Sequence, residues 1–254
     1  MAIARRFQVL TALGGLLATL QGFAPLGSAA AEFSVAPIRL DLDRKTKSGV
    51  ITVTNEGDDK PLRVQAQAFE WTQLDNGEDK YEETGELVFF PKLAVIEPKQ
   101  SQLFRVGIRI PATEKERTYR LYIEELADPT SEKNPGAGVS IALRFGVPVF
   151  VVPLEPSAQL VIETVTVAEG RLTVRYANPG NTHLRIQTLR VLAGDKLVTE
   201  ANGWYVLAGA RREQSVEIPN EVCRSAGTLQ LELVSDGPTI RQDVPLGPTM
   251  CKRG

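Results

Sequence analysis

The chain has 254 residues, with 29 lysines and arginines against 31 aspartates and glutamates, and its net charge of -2 argues against a nucleic-acid partner. It has one histidine and two cysteines, which leaves few residues for metal ligation or acid–base catalysis. Because the sequence also lacks a nucleophile elbow and a phosphate-binding glycine loop, we expect no enzyme activity, no metal and no cofactor.

The first 31 residues have the order of segments that is typical of a secretory signal peptide. Arg5 and Arg6 precede an apolar run at residues 9–20, and three alanines follow at residues 29–31. A membrane anchor is the alternative, but the run is shorter than the roughly 20 residues that span a bilayer. We therefore expect cleavage after Ala31, export, no membrane insertion and a mature protein of 254 − 31 = 223 residues.

From residue 33 onward the chain reads as short β-strands with alternating apolar and polar residues. Pro37 lies inside the first of them, and because proline cannot donate to a β-ladder, we predict a bend or a change of sheet there. The first strands are predicted at residues 33–42, 49–54, 61–73, 87–96 with an interruption at Pro91, 101–110 and 118–126. No segment has helical periodicity, so the expected fold is all-β.

The next predicted strand, at residues 139–149, is unusually long and apolar on one side. The apolar row consists of Val139, Ile141, Leu143, Phe145, Val147 and Val149. At about 3.3 Å per residue, such a row extends roughly 33 Å. The polar residues 128–138 before it are rich in turn formers and predict an exposed loop. An ordinary core strand and a strand presented to a partner both fit this pattern.

The strand pattern starts again after a proline-containing segment at residues 152–156. The later strands are predicted at residues 159–167, 171–178, 184–192, 196–199, 212–218, 228–235 and 239–244. Short strands at about ten-residue spacing favour immunoglobulin-like sandwiches. We therefore predict a signal peptide at residues 1–31 and two immunoglobulin-like domains, at residues 32–153 and 154–254.

The cysteines and the histidine lie in the second half of the chain. Cys223 and Cys251 are expected to pair in an oxidising compartment, and two reduced buried thiols are the alternative. His183 follows a turn-forming segment and has no cysteine or acidic cluster near it in sequence, so we expect it at the surface.

Four arginines interrupt otherwise apolar strands: Arg39, Arg105, Arg120 and Arg144. A charge in such a strand is costly unless it is paired, solvated or placed in a cleft. Each arginine alone fits a solvated face. As a group they also fit a site between the domains that binds a carboxylate, because the guanidinium fork can grip both oxygens.

The sequence resembles the periplasmic chaperones of the chaperone-usher pilus assembly pathway, in particular their archaic or alternative branch. The motifs that carry this resemblance are at residues 35–39, 53–55, 63–65 with Trp71, 102–106, 116 with 119–120 and 124–126, 147–153, 178–179 and 236–237. Each motif alone is weak. Their order and spacing extend over almost the whole of residues 32–254.

This resemblance implies two immunoglobulin-like domains in an L or boomerang arrangement, which escort pilus subunits through the periplasm to an outer-membrane usher. A subunit of this kind lacks its last strand, and the chaperone lends its own long strand to fill the gap. The residues that match the donor positions are Val139, Ile141, Leu143 and Phe145. An exposed donor strand is an aggregation hazard, so we expect the free chaperone to self-associate or to cover the strand with the loop before it.

The expected anchor for the subunit's C-terminal carboxylate departs from the better-known branch of the family. Arg39 matches the arginine of the first strand, but Pro148 stands where a lysine of the last strand is expected. Arg120 is the first candidate for the second charge, and Arg144 is the next. An interdomain salt bridge is also in doubt, since Val152 replaces its basic residue although Glu125 and Asp236 match acidic partners.

A secreted two-domain immunoglobulin-like module for adhesion or structure is the competing interpretation. An exported hydrolase is a third, which the scarcity of catalytic residues disfavours. An usher gene and genes for small secreted subunits beside this gene would favour the chaperone.

Overall fold

A computed structural model of the protein describes residues 33–126 and 142–252. These residues form four β-sheets, which pack as two sandwiches around separate apolar cores, so the predicted all-β fold is confirmed. The strands are β1 (Phe33–Ala36), β2 (Leu40–Leu42), β3 (Ser48–Asn55), β4 (Leu62–Gln73), β5 (Asp79–Glu83), β6 (Leu87–Phe90), β7 (Leu93–Ile96), β8 (Ser101–Ile108), β9 (Arg117–Glu125), β10 (Arg144–Val151), β11 (Val161–Ala168), β12 (Arg171–Ala177), β13 (Leu184–Ala193), β14 (Lys196–Asn202), β15 (Tyr205–Val206), β16 (Arg211–Glu217), β17 (Thr228–Ser235) and β18 (Ile240–Pro245).

The first sandwich contains β1 to β10. One of its sheets has the order β1-β3-β8-β6, and the other has the order β2-β10-β9-β4-β5, with β7 also paired to β4. In β4, Leu62, Val64 and Ala66 are buried in the core, whereas Arg63 faces solvent. This alternation is the period-2 pattern of the sequence, and it fixes which face of the sheet remains outside.

The first predicted strand divides between the two sheets at Pro37, as expected. β1 pairs antiparallel with β3 in one sheet, and β2 pairs parallel with β10 in the other. Leu40 and Leu42 face the core, so Arg39 and Asp41 share the opposite face of the chain. The change of sheet therefore brings Arg39 to the outer face of the sheet that contains β9 and β10.

β10 is the strand that the long apolar row predicts, but it is shorter than predicted at its start. It begins at Arg144, and Ala142 and Leu143 before it are outside any strand, while Val139 and Ile141 lie outside the described residues. Antiparallel pairing with β9 covers residues 144–151, and parallel pairing with β2 covers only residues 149–151. Among the described residues, no strand pairs with the other edge of β10 at residues 144–148.

The second sandwich contains β11 to β18, in sheets of order β11-β12-β16 and β14-β13-β17-β18, with β15 paired to β13. Its core holds leucine, valine and isoleucine side chains from β12, β13 and β17. A disulfide between Cys223 and Cys251 ties the short helix α1 (Asn220–Ser225) to the C-terminal segment. None of the helices in the described residues is long and apolar enough to cross a membrane.

The structure also has a short helix, α1, and a 3₁₀ turn over Pro248–Met250, neither of which the sequence pattern predicts. Both are too short to produce a helical period in the sequence, because six residues make less than two turns. β5 and β15 are also absent from the predicted strands. β5 is charged and largely exposed, and β15 has only two residues, so neither shows a period-2 apolar pattern.

Candidate functional site

A cluster of aromatic side chains joins the two sandwiches on the outer face of the β9–β10 sheet. Trp71 from β4 and Phe150 from β10 are buried against Tyr205 from β15 and Leu207. The rings of Trp71 and Tyr205 meet edge to face with centroids 5.4 Å apart, and those of Trp71 and Phe150 are 6.1 Å apart. This arrangement excludes water from the junction between the sandwiches, so any charge placed there is poorly solvated.

Arg120 of β9 is buried in this cluster and is only 6 % exposed. Its guanidinium carbon lies 4.0 Å from the centroid of Trp71, and Trp204 and Tyr205 cover it at 5.5 and 5.8 Å. Nη1 donates a hydrogen bond of 3.0 Å to the carbonyl of Gly146, but Nε and Nη2 have no hydrogen-bond partner among the described residues. A buried cation with unpaired donors is costly, and such a group is well suited to an incoming anion.

Gly146 has a steric role in this site. A Cβ added to it would lie 2.8 Å from the ring of Tyr122, which packs directly against the backbone of β10. Any side chain here would therefore push Tyr122 away from the strand. The glycine therefore lets the Tyr122 ring lie against β10, next to the carbonyl that accepts from Arg120.

Arg144 lies on the same face but in a different environment from Arg120. Its guanidinium carbon is 3.9 Å from the Tyr122 ring centroid, and its Nε is 3.7 Å from Glu124 Oε2. Its side chain is largely exposed to solvent. The structure therefore places these two predicted anchor arginines in different environments. Arg120 is buried and has no carboxylate partner within the described part of the chain, whereas Arg144 is solvated and paired with Glu124.

Arg39, the third of these arginines, lies beside Phe150, with its guanidinium carbon 5.1 Å from the ring centroid. Its guanidinium forms an ion pair with Asp41. Arg39 Nε lies 3.0 Å from both Asp41 Oδ1 and Oδ2, and Arg39 Nη2 lies 3.0 Å from Oδ1. Arg39 is thus part of the site, but a carboxylate of this chain already neutralises it.

The predicted donor residues that the structure describes are only partly available. Leu143 and Phe145 are half-buried and pack against the core of the first sandwich. The ring of Phe145 meets that of Phe33 edge to face at 5.0 Å. Val147 and Val149 continue the row as fully internal core residues. The apolar row therefore changes along its length, from core residues at its end to half-buried residues at 143 and 145.

His183 is not a surface residue, so that expectation is wrong. It is 8 % exposed and stacks on Phe150 with ring centroids 3.7 Å apart. Its Nδ1 lies 2.8 Å from Glu116 Oε2, a residue 67 positions earlier in the first sandwich. The same carboxylate accepts from the backbone N–H of His183 at 2.7 Å and from the hydroxyl of Thr182 at 2.8 Å. Glu116 therefore binds the two sandwiches together.

The hairpin between β4 and β5 makes a second polar connection between the sandwiches. Asp79 Oδ2 accepts a hydrogen bond of 2.7 Å from the indole N–H of Trp204, and the Gln73 side chain bonds the backbone of Tyr205 and Leu207. Beside this hairpin, burial and the Asp79 carboxylate raise the pKa of Tyr81, so its phenol stays protonated at neutral pH. These contacts hold Trp204 and Tyr205 over Arg120.

The described residues contain no group of three or more histidine, cysteine, aspartate or glutamate side chains that could hold a metal. The two cysteines are joined to each other.

Residues 32–156 match the family model described as pili and flagellar-assembly chaperone, PapD N-terminal domain. Residues 32–156 are therefore similar to the N-terminal domain of pilus-assembly chaperones. Similar solved structures include a chain of the CsuC–CsuE chaperone–tip adhesion subunit complex from the archaic Csu pili of Acinetobacter baumannii, at 21% identity and a TM-score of 0.59, covering 84% of this chain and 98% of that chain.

Two other chaperone structures have the same fold. The CupB2 chaperone of Pseudomonas aeruginosa is 16% identical with a TM-score of 0.51, over 84% of this chain and 100% of that chain. The Salmonella enterica SafA pilin complex with the SafB chaperone matches at 17% identity and a TM-score of 0.52, over 86% of this chain and 98% of that chain. A comparison with curated proteins gives no significant match.

Pro148 occupies the position where the family resemblance predicts a lysine, and it pairs in register with Arg120. The sequence therefore located Arg120 correctly beside that position. Glu125, which matches an acidic partner of the family's interdomain salt bridge, contacts the backbone N–H of Leu143, whereas Glu116 contacts the second sandwich. Asp236 accepts a hydrogen bond from the backbone of Arg185 within the second sandwich.

Several residues of the site are absent from the sequence-based prediction. Trp204 and Tyr205 gave no signal, since both come from the second sandwich and cover a residue of the first. Asp41 could have been found from the sequence, because a residue two positions from Arg39 in a strand lies on the same face. An acidic residue at that spacing predicts a partner for the arginine.

Proposed function

We propose that this chain is a periplasmic chaperone that captures pilus subunits by strand addition along β10 and delivers them to an outer-membrane usher. The observation that carries the proposal is the edge of β10 at residues 144–148, with which no strand of residues 33–126 or 142–252 pairs. Free backbone N–H and C=O groups on such an edge can pair with an extended segment of a client. Main-chain bonds then supply affinity, and alternate side chains fill pockets of the client.

The proposed donor side chains are Val139, Ile141, Leu143 and Phe145. Each apolar side chain that leaves water contributes roughly 1.5–3 kcal/mol, so four contribute about 6–12 kcal/mol before the cost of ordering the segment. Leu143 and Phe145 are already half-buried in the free chain, so their contribution is at the lower end. Val139 and Ile141 lie outside the described residues and remain predicted donors.

The proposed anchor for the subunit's C-terminal carboxylate is Arg120, together with Arg39. Support comes from the two guanidinium nitrogens of Arg120 that lack a partner among the described residues. Because Trp204 and Tyr205 cover the guanidinium, a carboxylate reaches it only when the 41 % exposed Trp204 or Arg120 itself moves. Arg144 is the weaker candidate, since it is solvated and paired with Glu124.

Four other parts of this proposal rest on the sequence and the family. Residues 1–31 serve as the signal peptide for export to the periplasm, and the domains divide between residues 153 and 154, in the connection from β10 to β11. Before it meets a client, the free chaperone protects its donor strand by self-association or with residues 128–138. The usher completes the pathway that the family implies.

The test is co-production of the chain with a small exported subunit encoded beside its gene, followed by copurification. Leu143→Glu places a charge in the donor row and should abolish capture. Leu197→Glu adds the same charge at an exposed leucine of β14 and should leave capture intact. Thermal unfolding of both free variants checks that they fold.

If Leu143→Glu is unstable, Ile141→Glu provides a second donor variant. Capture that survives both folded variants would contradict strand addition through this row. Capture that is equally lost in Leu197→Glu would show that the added charge acts elsewhere.

A further inference from the structure

We propose that Asp41 is a built-in competitor for the carboxylate that Arg39 binds, and that it weakens the grip of the site on a client. This inference rests on the proposed function, since it concerns how the same site holds the client's C-terminal carboxylate. Asp41 does not bind the client in this scheme. It sets how much of Arg39's charge and hydrogen-bonding capacity remains for the client.

The first observation is the geometry of the pair. The Asp41 carboxylate lies on the Nε–Nη2 side of the guanidinium, with Arg39 Nε 3.0 Å from both oxygens and Nη2 3.0 Å from Oδ1. This side presents two parallel donors and is one of the two sides of a guanidinium that a carboxylate can grip in a bidentate manner. A client carboxylate must therefore displace Asp41 or use the remaining N–H groups, with a negative charge close by in either case.

The second observation is that the pair belongs to the site. Arg39 and Asp41 share the outer face of the chain at β2, and Asp41 lies opposite Phe150 in the parallel β2–β10 register. Arg39 lies against the ring of Phe150, which belongs to the same aromatic cluster as Trp71 beneath Arg120. The two arginines therefore serve one surface, but only Arg39 has a carboxylate partner among the described residues.

The third observation is exposure, which sets the size of the effect. The side chains of Arg39 and Asp41 are 38 % and 44 % exposed, so water and salt screen the pair and a competitor can separate it. Exposed ion pairs are weak, and removing one changes a binding constant by about two- to fivefold. A chaperone that must later release its client benefits from an anchor of this adjustable strength.

The experiment measures carboxylate binding directly, with acetate as the probe. Acetate replaces chloride at constant ionic strength, and the ¹⁵Nε–H signal of Arg39 in the purified protein reports binding; Arg39→Ala assigns this signal. Asp41→Asn keeps the size of the side chain and removes its charge. We expect acetate to bind about two- to fivefold more tightly at Arg39 in Asp41→Asn than in the unmodified protein.

Asp195→Asn is the matched control, because it removes the same charge from an exposed turn of the second sandwich. It should change acetate binding at Arg39 by less than about 1.5-fold, since salt screens distant surface charges. In the Arg39→Ala, Asp41→Asn double variant, acetate binding is followed through the Nε–H signal of Arg120. Acetate should not bind this double variant more tightly than it binds the unmodified protein. Unchanged or weaker acetate binding in Asp41→Asn would overturn the proposal, because Asp41 would then be neutral or would orient Arg39 productively.

A second measurement uses the copurified subunit in place of acetate. Asp41→Asn should slow dissociation of a subunit with its natural C-terminus and should not affect a subunit whose C-terminus is extended by a flexible tail. A subunit that is never captured would refute the proposed function, while the acetate measurement would still decide the role of Asp41. If Asp41→Asn slows dissociation of both subunits equally, Asp41 does not act through the client's C-terminal carboxylate.

Discussion

Arg120 combines burial with incomplete hydrogen bonding, and this combination lowers the stability of the free protein. Its charge is removed from water by Trp71, Trp204 and Tyr205, and among the residues that the structure describes only the Gly146 carbonyl accepts from it. A residue selected for stability alone would be apolar here, because well-packed apolar residues often replace buried charges without loss. The arginine therefore fits a ligand-binding role.

The residue-scale prediction concerns Arg120→Met, which keeps a long unbranched side chain and removes the charge. The free energy of unfolding should stay the same or rise by up to about 2 kcal/mol, because no buried cation remains to be desolvated. Subunit affinity should fall at least about tenfold, because the carboxylate loses a charged partner. Chemical denaturation and a binding titration measure the two effects.

Arg117→Met is the control for this prediction, since Arg117 lies on the same strand and pairs with Glu86 at 3.3 Å. It should leave subunit affinity unchanged. A strong loss of stability in Arg120→Met with intact capture would assign Arg120 a structural role instead.

At the scale of elements, the β4–β5 hairpin is a connector between the sandwiches. Its turn contains Gly77 with φ of 85°, and a Cβ there would lie 3.2 Å from the backbone of Arg212. Only glycine takes this left-handed conformation readily and permits so close an approach. The hairpin thereby brings Asp79 to the indole of Trp204.

The element-scale prediction is that Asp79→Ala releases Trp204 and destabilises the protein by about 1–2 kcal/mol. The chain has two tryptophans, and Trp71 is fully buried, so acrylamide quenching of fluorescence reports mainly on Trp204. Quenching should increase in Asp79→Ala. In Asp79→Asn, where an amide oxygen can still accept from the indole, it should increase much less. If acrylamide quenches Asp79→Ala no more than the unmodified protein, the hydrogen bond from Trp204 to Asp79 does not hold the indole in place.

For the whole molecule, Glu116 determines whether the two sandwiches behave as one unit. Its carboxylate accepts from Thr182 and His183, and the His183 ring stacks on Phe150 of β10. Removing the carboxylate leaves several buried donors without a partner, at a cost of about 1–3 kcal/mol each. The connection also reaches the proposed donor strand, since Phe150 lies near the end of β10.

The whole-molecule prediction is that Glu116→Ala uncouples the sandwiches. Calorimetry should show two separate unfolding transitions in place of a coupled one, with a total loss of stability on the order of 3 kcal/mol. Glu125→Ala is the control, because Glu125 contacts Leu143 within the first sandwich and should change stability by less than about 1 kcal/mol. A single unshifted transition in Glu116→Ala would refute this role.

The local sequence was sufficient to predict the all-β class, most strand positions and the change of sheet at Pro37. It also predicted which residues of β4 and β9 face the core. These features depend on alternation and on turn residues, and both are properties of neighbours in the chain. The position of Arg120 beside Pro148 was expected from the family resemblance, and the pairing of β9 with β10 confirms it.

The contacts that form the site could not be predicted from the sequence, because they arise only from tertiary packing. Glu116 and His183 are 67 residues apart in the chain, and Asp79 and Trp204 are 125 apart. A lone histidine after a turn has the same local sequence pattern whether it is exposed or buried. The alternation of apolar and polar residues therefore could not predict that His183 is buried. The packing of one sandwich against the other buries His183 and encloses Arg120, because side-chain environment depends on groups that are distant in the chain.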